Sequence, residues 1–132
     1  MTMKQAHVRS GQGIDTITVE AVPIPQPGPG EVLIRISAAT LNFRDLIVAK
    51  GLIPGLGKEP TVVPLSCAAA KVVSLGEGVT RVSVGQRVVP LFAPYWLTGS
   101  TPDPRMLGGP IDGVGQQYAL FDAESLCNLP DE

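Results

Sequence analysis

The sequence contains one histidine and two cysteines, Cys67 and Cys127, which lie far apart along the chain. One imidazole and two isolated thiols cannot build a tetrahedral zinc site of the usual kind. A Ser-His-Asp triad would have to use His7, and nothing around it supports one; a histidine on the polar face of a first strand reads as solvated. The net charge is only −2 and the pI is near 5.3. With no basic run, such a surface attracts neither phosphate nor anionic headgroups, so nucleic acid and membranes are not expected partners. No apolar run reaches the roughly 18 residues that a membrane helix needs, and MTMKQAHVRS is too polar for a signal peptide. Sparse cysteines in such a chain read as reduced thiols of a cytoplasmic protein, with a disulfide the less favoured alternative.

What the chain has in excess is glycine and proline, 15 and 13 among 132 residues. With 44 % hydrophobic residues and few helix-like stretches, this predicts one domain over 1–132 made of many short strands and tight turns. KQAHVR (4–9) alternates, with Ala6 and Val8 on one face and Gln5, His7 and Arg9 on the other. ITVEAVPIP is a second strand. Alternate prolines make residues 23–30 an extended connector. EVLIRISAATL is a strand with Val32, Ile34, Ile36 and Ala38 on one face. The period then changes: Asn42 suits an N-cap, Asp45 the third helical position and Gly51 a left-handed C-terminus, which predicts a short helix over 43–50. LIPGLGKEP reads as loop. CAAAKVVSLG, GQRVVPLF, QQYALF and SLCNL supply further strands, separated by a long aperiodic loop over 93–115.

The motifs exclude more than they assign. GQGID begins like a phosphate loop, but Thr16 stands where a third glycine belongs and no helix is expected after it. GLIPGLG likewise lacks a strand before it and a helix after it. Several side chains could do acid–base work in a cleft. Arg44 and Asp45 lie in the first helical turn, where capping is the plainer role for Asp45. Tyr95 and Trp96 lie on the long loop and would line a pocket or pack as a lid. Cys67, beside Ala68, Ala69 and Ala70, reads as a small buried thiol.

Three stretches together carry a resemblance: PGPGEVLIRISAATLNFRDL, VVPLSCAAAKVVSLGEGVTRVSVGQRVVPLF, and GGPIDGVGQQYALFDAESLCNLPDE. The chain resembles the GroES-like N-terminal domain of the medium-chain dehydrogenase/reductase superfamily over nearly its whole length. LGEGVTRVSVGQRV is the most specific part, and NFRD with PYW is similar to the zinc-independent, quinone-oxidoreductase-like branch. The resemblance implies a mainly β fold, a partly open antiparallel β-barrel with one short helix and a long irregular loop. Zinc-dependent relatives keep Cys-Gly-Thr-Asp where this chain has Asn42, Phe43, Arg44 and Asp45, and His-Glu where it has Ser66 and Cys67. Both zinc sites are lost by this alignment. Zinc-free relatives read Ser-Asp-Gly-Ala-Gly where Ser66 to Ala70 stand, so an acid and two glycines have been replaced.

In the family a Rossmann domain follows, and the sequence stops at Glu132 before one. The resemblance therefore implies no cofactor bound by this chain alone, and NADPH if a Rossmann domain is supplied. Three functions are expected. The first is the substrate-side half of a zinc-independent quinone or enoyl reductase. In it Asn42, Phe43 and Arg44 face the nicotinamide and a small-molecule substrate, and Ser66 and Tyr95 form the pocket wall. The second is a standalone enzyme catalysing an isomerisation, dehydration or cyclisation of a secondary-metabolite-like substrate. Arg44, Asp45 and Tyr95 would be its acid–base groups, with Cys67 to be tested beside them, and Trp96 would lie on the substrate. The third is a binding module that forms a homodimer through its former interdomain face.

Overall fold

A computed structural model describes residues 1–54 and 61–130. It is built from seven strands and one helix: β1 (Thr2–His7), β2 (Thr18–Pro23), β3 (Glu31–Thr40), α1 (Phe43–Ala49), β4 (Cys67–Leu75), β5 (Arg87–Pro90), β6 (Tyr118–Asp122) and β7 (Leu126–Asn128). Single 3-10 turns at Ile14–Thr16 and Ala123–Ser125 were not expected. Of the predicted loop at LIPGLGKEP, residues 52–54 are irregular and the remainder lies outside the described residues. Among the described residues no helix is long and apolar enough to cross a membrane.

β6, β3, β4, β5 and β7 form one antiparallel sheet in that order, and β1 pairs with β2 in a separate hairpin. Residues 115–117 join the two. Ala6 N–H donates to the Gly115 carbonyl at 2.8 Å, Gln117 N–H to Lys4 at 3.0 Å, and Ile36 N–H to Gln117 at 2.9 Å. The result is the curled, partly open barrel of the GroES-like type.

The alternation predicted for β3 holds at neither end: Val32, Leu33 and Ile34 are all buried, with a register shift between Leu33 and Ile34. Val32 and Ile34 are fully buried. The register then shifts between Ile36 and Ala38, and the last four residues of the strand are exposed. A bulge of this kind re-aims the following side chains, so Ala38 does not reach the core. The main core unites Val32, Ile34, Val72, Val88, Phe121 and Leu126 with Leu107 and Val114 from the long loop. A second cluster of Val8, Val48, Ala49 and Val62 fastens α1 to the end of β1.

The long loop is irregular, yet its second half is built into the fold. Three successive amides, Gly113, Val114 and Gly115, donate to the carbonyls of Val63, Leu65 and Pro64 at 2.7, 2.9 and 2.8 Å. The two backbones run so close that a Cβ on Gly113 would collide with the Leu65 carbonyl oxygen. The turns around Gly28 and Gly76 interlock in the same way, since a Cβ on Gly76 would strike the Gly28 carbonyl. This accounts physically for the glycine that opens GEGV.

Gly113→Ala should lower unfolding stability in urea by about 2 kcal/mol or more, because rigid backbone must move. Gly78→Ala meets nothing within 4 Å and carries only its positive φ of 80°, so its loss should be smaller, about 1 kcal/mol. Equal losses would contradict the close approach.

Candidate functional site

The head of α1 is fixed by its own sequence. Asn42 is the N-cap, and its N–H donates to Asp45 Oδ2 at 2.8 Å while Asp45 N–H donates to the Asn42 carbonyl at 3.0 Å. The other Asp45 oxygen accepts the Leu65 amide at 3.2 Å. One carboxylate therefore ties the helix to the residue that precedes Ser66. Leu65 has a φ of 72°, a region that costs a branched side chain about 1–2 kcal/mol. The amides of the loop and the Asp45 carboxylate hold it there.

Arg44 turns away from this pair toward the long loop. Its guanidinium donates to the Leu107 carbonyl at 3.1 Å and to the Gly109 carbonyl, and lies 5.0 Å from the Phe92 ring centroid. Burial lowers its pKa, opposed in part by the charge of Asp45. Phe43 projects outward and is 77 % exposed.

Antiparallel pairing of β3 with β4 sets Cys67 opposite Thr40, close to the start of α1. Ser66 is buried at 4 % exposure, whereas Cys67 is exposed. The expectation of a buried thiol is therefore corrected. The period of two along β4 puts Cys67 on the face of exposed Lys71, and the neighbouring Ala68 and Ala70 point into the core. An apolar cavity of about 410 Å³ adjoins the site, bordered by Leu41, Asn42, Asp45, Leu46 and Leu65 and by Ile14 and Ile17 from the first turn. Ile14, Ile17 and Leu46 escaped the sequence reading. Leu46 could have been found from its place one turn after Asn42 on the same helix face; Ile14 and Ile17 depend on tertiary contact.

Tyr95 and Trp96 lie elsewhere. Tyr95 borders cavities with Glu31 and Asp122, which are paired at the start of β3. Leu107, whose carbonyl Arg44 holds, borders the first of these cavities too, so Tyr95 reaches the loop side of Arg44 and not the cavity beside Asn42. Tyr95 stacks under the Arg105 guanidinium at 3.9 Å, and Arg105 grips both oxygens of Asp103 at 3.0 and 2.7 Å. Those hydrogen bonds hold the Asp103 carboxyl at a pKa of about 2. Trp96 donates its indole N–H to the Gly99 carbonyl at 3.0 Å. The expected site thus divides: Asn42, Phe43, Arg44, Asp45, Ser66 and Cys67 lie about the heads of α1 and β4, and neither loop aromatic borders the cavity beside Asn42. His7 also departs from expectation, because its Nε2 is buried rather than solvated.

The donors at the heads of α1 and β4 are a carboxamide, a hydroxyl, one thiol and the Asp45 carboxylate, whose two oxygens already accept the Asn42 and Leu65 amides, a set that does not fit a catalytic zinc. Among the described residues no three His, Cys, Asp or Glu side chains cluster as metal ligands would. The Gly11–Gly13 turn does not fit a dinucleotide either, since only a three-residue 3-10 turn follows it.

The alcohol dehydrogenase GroES-like domain family matches residues 28–131. The chain belongs to that family, within the medium-chain dehydrogenase/reductase superfamily. It is 40 % identical over 122 residues to a zinc-type alcohol dehydrogenase-like protein of Schizosaccharomyces pombe, covering 89 % of this chain and 35 % of that protein. A trans-enoyl reductase of Aspergillus flavipes is 35 % identical over 116 residues, with 87 % and 31 % covered. Among solved structures, 2R,3R-butanediol dehydrogenase from Bacillus subtilis superposes with a TM-score of 0.81 at 28 % identity, covering 98 % of this chain and 41 % of that one. A quinone oxidoreductase from Pseudomonas syringae pv. Tomato DC3000 gives 0.71 at 25 % identity, with 98 % and 34 % covered. The chain thus spans between 31 % and 41 % of the length of these four relatives.

Exposure of both cysteines is directly measurable. A thiol reagent should label Cys67 and Cys127 in the native protein without denaturant, two equivalents per chain. A single rapid equivalent that persists in Cys127→Ser but disappears in Cys67→Ser would keep Cys67 exposed and bury Cys127; the reverse pattern would contradict the placement of Cys67.

Proposed function

We propose that this chain is the substrate-side half of a zinc-independent reductase of the quinone or enoyl type. The observation that carries the reading is the donor set of Asn42, Ser66 and Cys67, unsuited to zinc, of which Asn42 borders an apolar cavity of about 410 Å³. Similarity to an enoyl reductase and to a quinone oxidoreductase supports the same class. A nicotinamide cofactor, held by a Rossmann domain, would supply the hydride. The share of this chain is binding and orientation. The Asn42 carboxamide presents a donor to a substrate carbonyl, the Phe43 ring gives a flat face, and the apolar cavity receives the hydrocarbon body. Arg44 and Asp45 act as positioning residues, one fixing the loop and the other fixing Leu65. Tyr95 and Trp96 do not border that cavity and have no part in this reading.

The 132-residue chain should give no saturable fluorescence change with NADPH and should retain only substoichiometric zinc after dialysis. Fused to the nucleotide-binding domain of a quinone oxidoreductase, it should reduce an enone or quinone in the presence of a chelator. Asn42→Ala should lower that rate at least roughly tenfold, the loss expected for an aimed hydrogen-bond donor. Stoichiometric zinc, or activity abolished by the chelator, would sink the zinc-independent reading.

A second reading, an assembly module, rests on the apolar side chains left in solvent around the same cavity. Leu41 is 86 % exposed, Phe43 77 %, Ile14 53 % and Ile17 49 %. Such a patch invites a second copy. Sedimentation equilibrium should then show a concentration-dependent dimer that Leu41→Asp dissociates. A monomer at every concentration would refute it.

A further inference from the structure

The reductase reading makes no use of three cations that lie far apart in the sequence and side by side in the sheet. The antiparallel register sets Arg35 of β3 directly opposite Lys71 of β4, and Lys71 directly opposite Arg87 of β5. Residues directly opposite one another point to the same face. All three are exposed, while their strand neighbours Ile34, Val72 and Val88 are buried on the other face. Three of the ten lysines and arginines of the chain thus form one row across three adjacent strands. With neighbouring strands about 4.8 Å apart, the row spans about 10 Å. No basic run marks it in the sequence, because each cation comes from a different strand.

Like charges set opposite one another in a sheet repel and destabilise it. Neither ion pair among the described residues, Arg81 with Glu124 or Arg105 with Asp103, involves the row. Acids on the same sheet are set apart from it: Glu31 stands opposite Asp122, four residues before Arg35. None of the three cations borders the cavities beside Asn42 and Tyr95, so a small anion would find charge there without walls. The complement of the row is an anionic surface brought by a macromolecule. Nucleic acid fits it poorly. The whole chain carries a net charge of −2, which opposes the long-range attraction of a polyanion. Tyr118 ends the row opposite Arg35, but Val89 and Cys127, which pair beside it, are not platforms on which successive bases stack.

We propose that this face docks a protein partner through an acidic helix that crosses the strands. Carboxylates at positions i, i+4 and i+7 of a helix lie on one side and span about 10.5 Å, close to the length of the row. Alternate carboxylates of an extended segment span about 13 Å and overshoot it. The guanidinium forks of Arg35 and Arg87 hold the outer two carboxylates, and the Lys71 ammonium holds the middle one.

The 132-residue chain would be titrated with three fluorescently labelled, alanine-rich peptides of equal length and equal glutamate content. One carries its glutamates at i, i+4 and i+7, one has them spread around the helix, and one is held extended by prolines; a labelled oligothymidylate is the fourth probe. The expected result is a saturable rise in anisotropy at low ionic strength, strongest for the one-sided helix and lost as added salt screens the charges. Lys71→Glu should abolish it, and Arg35→Gln and Arg87→Gln should each weaken it about two- to fivefold, as for exposed ion pairs. No saturable binding, equal binding of the three peptides, tighter binding of the oligothymidylate, or a Lys71→Glu protein that binds as before would overturn the proposal. Urea unfolding tests separately whether the row is unmatched. Lys71→Gln removes repulsion and should unfold at the same or a higher urea concentration; a lower midpoint would reveal a partner for that charge within the chain and would also overturn it.

Discussion

The Asp45 carboxylate is the contact on which the site depends. With one oxygen it caps the helix at Asn42, and with the other it receives the amide of Leu65. A carboxylate that accepts two backbone N–H groups fixes both segments at once. Helix α1 and the start of β4 are otherwise separated by residues 50–66, so no local rule holds them in register. Leu65 stands in a left-handed conformation that a leucine does not choose by itself. It keeps that conformation because three loop amides and one carboxylate converge on its segment. Ser66 and Cys67 inherit their placement from this arrangement: one is turned inward and the other outward.

Arg44 performs the matching task on the other side of the helix. Its charge meets two carbonyl dipoles and an aromatic face rather than an acid. A planar guanidinium suits that role better than an ammonium would, since it offers a fork of donors and a flat face together. Adjacent residues of one helical turn thus reach in two directions and clamp two different stretches of chain. This explains in physical terms why NFRD acts as a unit, with Asn42 the cap, Arg44 the loop anchor and Asp45 the bridge.

Much of the fold was legible because strands advertise themselves by alternation and turns by glycine and proline. The cap at Asn42 and the left-handed Gly51 follow from local chemistry that needs no tertiary knowledge. Where the reading departed from the structure, a nonlocal cause can be named. The inward face of β3 ends early because a register shift against β4 interrupts it after Ile36. Cys67 was read as buried from its alanine neighbours, but in a strand adjacent residues face opposite ways. Tyr95 and Trp96 were grouped with Asn42 although loop sequence carries no distance information. The apolar cavity was missed because Ile14 and Ile17 reach it from a turn that only the folded chain brings close to α1.

The ribbon formed by Gly113, Val114 and Gly115 against residues 63–65 joins segments about fifty positions apart in the chain. A contact of that separation forms only after a long loop has closed, and the entropy of closure must be met before the contact returns any stabilisation. The strand pair β3–β4 and the helix cap can form without it. Leu65, held in place by this ribbon, therefore takes its conformation only once that loop has closed, after the local β3–β4 pair and the helix cap, and the cavity beside Asn42 takes shape with it. Any ligand that occupies that cavity binds only the finished fold, and so draws the last step of folding to completion.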